Sequence, residues 1–172
     1  MRMKQQGFSM IEVIVTFAVI SIGLLGLNAL QSAAVLSGFE AYQRAMLISI
    51  LDDMTTRIQM NPNNTDDYTV ATTEHYGTRP TTTDCTQLQG SARDLCEWNI
   101  ELAGINVRDA SGKGMAAPYG ARGCIDRIDS ETIKVSVAWM GISKQIESTE
   151  SCGQGTMPEK NRRVITREVV IH

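Results

Sequence analysis

Five side chains in this sequence have chemistry that depends strongly on their surroundings: the carboxylate of Glu12 and the thiols of Cys85, Cys96, Cys124 and Cys152. Glu12 opens an uncharged run of 27 positions, 13–39. A carboxylate at the centre of a membrane helix costs about 2.5 to 3.5 kcal/mol on insertion scales, so it must find a partner or reach back to water. The cysteines lack CxxC spacing, and His75 and His172 are the only histidines, so their pattern does not fit a zinc site. An even number of thiols in a small, loop-rich, aromatic-poor region instead indicates disulfides and an oxidising compartment. Three pairings are possible. Sequence neighbours favour Cys85 with Cys96 and Cys124 with Cys152, each bracketing a turn or hairpin, although spacing does not decide the matter.

Other candidate groups fall short of a site. Glu74, His75 and Asp84 do not form a nucleophile and base set, and neither GxSxG nor HExxH occurs. Gly112, Lys113 and Gly114 lack the earlier glycine and following Ser or Thr of a phosphate-binding loop. Asp126 and Asp129 have no ordered cation-ligand spacing and read as solvated loop acids. Lys160, Arg162 and Arg163 form a basic patch too short for a polyanion, and a net charge of -3 gives no general affinity for one. They read as a solvated turn before a strand. Trp98 and Trp139 read as core. The expectation is a protein without catalysis, metal or cofactor, and without direct nucleic-acid contact.

The elements that position these residues are of two physical kinds. A hydrophobic fraction of 42% is an average over an apolar N-terminal segment and a polar remainder with no Phe beyond Phe39. Residues 8–30 carry one charge in 23 positions and extend roughly 35 Å as a helix, enough to cross a bilayer. Arg2 and Lys4 precede them with no acid, so the positive-inside rule keeps the N-terminus cytoplasmic and sends the rest outward, where disulfides form. The span is longer than the apolar core of a cleaved secretory signal. Beyond it, Leu36, Phe39, Leu47, Ile50, Met54 and Ile58 recur at helical intervals. Glu40 with Arg44 and Asp53 with Arg57 are acid-before-base pairs at i,i+4. Asn61-Pro62 ends the pattern, so the spacing predicts one helix of about 53 residues.

The run GFSMIEV at 7–13, behind a short basic leader and ahead of an uncharged helix, resembles the class III signal of type IV pilins and related pseudopilins. The resemblance implies that prepilin peptidase cuts after Gly7 and methylates the new amine of Phe8. It also makes Glu12 the characteristic glutamate at the fifth position of the mature chain. In such an assembly, Glu12 of an incoming subunit meets the Phe8 amine of the subunit already in place; an α-amine with a reference pKa near 8 is cationic at neutral pH. One departure stands out. Many pilins carry a proline about 22 residues into the mature helix, where this chain has Ala29. Gly23 and Gly26 offer either local melting or close approach of a neighbouring helix.

Downstream, 63–93 reads as a long loop region, with Ser91 and Asp94 as a capping signal for a short helix through about Glu97. Residues 98–103 read as a strand and 109–123 as loop. Residues 132–139 are the clearest strand, with Ile133, Val135, Val137 and Trp139 on one face, and 163–171 read as another. The expected fold class is α+β, and the arrangement resembles that of pilins: a long N-terminal helix, its first half transmembrane, packed on a small antiparallel sheet head with disulfides. The divisions are a leader at 1–7, an assembly helix at 8–30, an amphipathic half at 31–61 and a periplasmic head at 62–172. DLCEWN at 94–99, GCI at 123–125, a strand ending in Trp139 and a basic pair before the last strand look like minor pilins of the PilV type, often called type IV pilus modification proteins. That resemblance implies other minor pilins, a major pilin, a tip adhesin, an assembly platform and prepilin peptidase as partners. It places the chain in the bacterial inner membrane and then in a surface fibre that supports adhesion or motility. A minor pseudopilin of a type II secretion system shares the same N-terminal logic. A single-pass receptor that is never processed is the remaining alternative.

Overall fold

The computed structural model describes residues 7, 9–69, 76–78, 84–105, 110, 118 and 120–171. They fall into two compact units, Met1–Phe39 and Glu40–His172. A single helix, α1 (Met10–Met60), supplies the first unit and enters the second. It ends as the sequence predicts: Asn61 bonds back to the Ile58 carbonyl, and Pro62 opens a 3-10 turn, Pro62–Asn64.

The second unit is built on a three-stranded antiparallel sheet in the order β1 (Arg122–Arg127), β2 (Thr132–Met140), β3 (Arg162–Val170). Ile133, Val135, Val137 and Trp139 of β2 point into the core, joined by Ile125 of β1 and Val169 of β3. The last turns of α1 cover that face through Leu47, Leu51, Met54 and Ile58. These residues follow the i, i+4, i+7, i+11 spacing of one helical stripe. Leu36 and Phe39, expected on the buried stripe, are exposed, and burial along α1 starts at Gln43.

Two further segments depart from the expectations. Residues 98–103 are not a strand. They complete a helix, α3 (Gly90–Ala103), which stops at Gly104 in the left-handed conformation with φ 68°. Leu95, Trp98 and Leu102 lie three and four apart and meet the core on one helical face, which overrides the strand propensity of a short apolar run. Ser91 does not cap this helix. Gln89 stands at the N-cap without a side-chain bond, and the Ser91 hydroxyl donates to Asp67 instead. The region read as loop after residue 62 contains a short helix, α2 (Asp66–Thr69), and a bridge in which Tyr76 and Gly123 exchange both backbone bonds at 2.9 Å. β1 overlaps the stretch expected as loop, 109–123, only at Arg122 and Gly123 and continues past it. Gly123 is required there because a Cβ would collide with the Trp98 ring and Leu102 of α3.

Candidate assembly surface

In the first unit, every described residue from 9 to 39 is exposed. The exposed surface is apolar on all sides, with Ile11, Phe17, Val19, Leu25 and Leu30 each more than 60% exposed. A helix apolar all round belongs in a protein interior or a membrane, and this one is long and apolar enough to cross a bilayer. Three of its hydroxyl side chains have partners within the helix. Thr16 Oγ1 donates to the Val13 carbonyl at 2.8 Å, Ser21 Oγ to that of Phe17 at 2.8 Å, and Ser32 Oγ to that of Asn28 at 3.0 Å. Such bonding makes these groups compatible with lipid. α1 stays helical through Gly23 and Gly26, and both have open space where a Cβ would lie.

Gly7 is exposed, and Phe8 lies outside the described residues. Glu12 occupies the first turn of α1, exposed, with its backbone N–H donating to the Ser9 carbonyl at 3.1 Å. Among the described residues its carboxylate has no hydrogen bond or ion pair. Its acidic charge suits the positive end of the helix dipole. It is the sole ionisable side chain between residues 9 and 39.

The second unit holds the helix by charge as well as by packing. Arg57 donates to Asp53 at 2.7 Å, to Asp94 of α3 at 3.0 Å and to Glu97 of α3 at 2.6 Å. Burial alone would lower the pKa of Arg57, but these carboxylates outweigh it and hold the guanidinium above its ordinary range. Arg93 and Arg57 together keep Glu97 below the usual carboxylate value. The Tyr68 hydroxyl donates to Asp94, and burial first, that bond second, push it up to about 12. Of the two expected i,i+4 pairs, Asp53 with Arg57 forms. Glu40 is taken by another element: the backbone N–H and hydroxyl of Ser143 donate to its Oε1 at 2.8 and 2.6 Å, and Arg163 stands 3.8 Å away. The two Ser143 bonds lower its pKa.

The structure pairs Cys85 with Cys96 and Cys124 with Cys152, with Cα atoms 5.9 and 5.8 Å apart. The second bridge ties a long connection across the outer face of β2, burying Ser136 and Ala138, and Lys134 binds Glu150 there at 2.9 Å. Arg162 locks the same connection. The sequence places it in a solvated basic turn, yet it is 2% exposed. Its guanidinium donates to Glu159 at 2.6 Å and to the carbonyls of Ser148, Glu150 and Cys152 at 3.0, 2.6 and 2.9 Å. Nothing in the local sequence distinguishes it from its exposed neighbour Lys160 except Glu159 three residues earlier.

Trp98 and Trp139 are core, as expected. Asp129 accepts from the Glu131 backbone at 2.8 Å and shapes the β1–β2 turn, while Asp126 is exposed on β1. Asp84 accepts from the backbone and hydroxyl of Thr86. Glu74, His75, residues 112–114 and His172 lie outside the described residues. Among the described residues, no three His, Cys, Asp or Glu side chains gather as metal ligands.

An apolar N-terminal helix with a small antiparallel sheet and two disulfides defines a pilin-like α+β fold. Residues 2–28 match the prokaryotic N-terminal methylation motif, and residues 29–100 match the family model described as type IV pilin Tt1218. Together these matches support the type IV pilin superfamily, with its membrane anchoring and pilus assembly. No curated protein and no solved structure showed a significant match to the chain.

Proposed function

We propose that this chain is a minor pilin of the PilV type, processed after Gly7 and methylated at Phe8. In this role residues 8–30 anchor the precursor in the inner membrane with the head in the periplasm, and the mature subunit joins other minor pilins to prime the fibre at its tip. The major pilin, a tip adhesin, the assembly platform and prepilin peptidase are its partners. Adhesion or motility is the outcome served. The observation that carries this reading is a helix surface exposed on every side from 9 to 39, whose one ionisable side chain, Glu12, lies in the first turn just beyond Gly7. Lipid satisfies such a surface before assembly, and neighbouring helices satisfy it afterwards. Glu12 meets the Phe8 amine of the adjacent subunit in this scheme.

Mass measurement of the N-terminus tests the first step. Methylated Phe8 is the expected species, of 165 residues and formal side-chain charge -5 after loss of Arg2 and Lys4. An intact Met1 would refute the reading in favour of an unprocessed single-pass protein. Recovery of the chain in sheared surface pili is expected. Its absence there, with protein secretion lost on deletion, would assign it instead to a type II secretion pseudopilus.

A further inference from the structure

The connection after β2 contains two isoleucines that the fold leaves uncovered. Ile146 is 95% exposed and Ile142 52%. The backbone that carries them is nevertheless held at several points. Gly141 N–H donates to the Asn161 carbonyl at 2.8 Å, Gln145 N–H to the Lys160 carbonyl at 2.8 Å, and the Asn161 amide to the carbonyls of Gly141 and Ile142. Between them, Ser143 is fixed to Glu40 and accepts from Arg163. A loop pinned in this way presents its apolar side chains at little further entropic cost, the condition that favours docking.

We infer that loop 141–147 is a docking surface for an apolar, uncharged α-helix on the neighbouring pilin subunit, of the kind this chain carries at 31–39. The inference rests on the pilin reading and adds a contact to it. Two observations favour this occupant. The loop carries one cation, Lys144, and one anion, Glu147, rather than the several cations that an anionic headgroup surface attracts. In addition, the chain exposes a surface of matching chemistry: Val35, Leu36 and Phe39 are uncovered, lie beyond the expected span at 8–30, and have no charged residue beside them before Glu40. A loop on one subunit meeting a helix on the next is a heterologous contact, the kind that joins successive subunits of an open assembly.

A photo-crosslinking amino acid at position 146, introduced into the full-length chain in piliated cells, tests the assignment. The expected adducts join it to the 31–39 region of an adjacent pilin subunit. With the chain present in sheared pili, adducts confined to lipid, adducts confined to head surfaces, or no adducts would each overturn it. Ile146→Asp is expected to lower recovery in pili about tenfold at unchanged membrane abundance, as loss of one buried aliphatic side chain implies. Ile128→Asp, at an exposed isoleucine in the β1–β2 turn, should leave recovery unchanged. Equal recovery of Ile146→Asp and wild type would refute the contact while leaving the pilin reading intact. An unprocessed N-terminus would instead refute the pilin reading and the contact with it.

Discussion

Glu12, set among apolar helix residues, and Arg162, buried in the head, meet the cost of a charge away from water in opposite ways. Arg162 is satisfied within its own chain by one carboxylate and three carbonyls. Arg162→Met removes the donor that these carbonyls share, and leaving a buried polar group unpaired costs about 1 to 3 kcal/mol, so the head should be destabilised by at least about that amount. Thermal unfolding of the detergent-solubilised chain would show it, and a change below about 1 kcal/mol would contradict the structural role. Glu12 has no side-chain partner among the described residues and, in the proposed assembly, acquires one from another subunit. Glu12→Ala should therefore leave insertion and processing intact while lowering entry into the fibre about tenfold, since pairing of opposite charges is strong where water is scarce. Equal recovery of mutant and wild type in sheared fractions would rule this out.

At the scale of elements, the junction of α1 with the β2–β3 connection depends on Glu40 being ionised. Hydrogen bonds from Ser143 depress its pKa from the ordinary 4.5. A depressed carboxylate stabilises the fold fully above its unfolded value and progressively less as pH falls through the folded one. The melting temperature of wild type should thus fall on acidification below about pH 4.5, and Glu40→Gln should flatten that part of the profile. Parallel profiles for the two would show that the bond contributes nothing. This junction was not legible in the sequence, where Glu40 pairs most simply with Arg44; the competing donor lies 103 positions away. By contrast, α1, β2 and β3 were readable because their periodicity extends over nine or more residues. β1 and the second half of α3 were not. In β1 the glycine that weakens strand propensity is demanded by Trp98, and in α3 the apolar run is too short to separate the two periods. DLCEWN and GCI, read as separate marks, meet in space: Trp98 from one packs on Gly123 of the other. The candidate site was more visible than the head, because its signal is the near absence of charge.

For the molecule as a whole, two covalent ties reinforce a small core. The Cys124–Cys152 loop spans 28 positions and the Cys85–Cys96 loop 11. On loop-closure entropy these correspond to about 3.5 and 2.8 kcal/mol. Replacing Cys124 and Cys152 by serine should lower the melting temperature more than replacing Cys85 and Cys96, and the reverse order would show that loop length is not what governs the head. The longer bridge and Arg162 secure the same connection, one by a covalent bond and the other by hydrogen bonds from a buried guanidinium. Every carbonyl that Arg162 binds precedes it in the chain. The covering of β2 is therefore fastened from its far end: a chain in which β3 has not yet joined the sheet lacks the group that secures it.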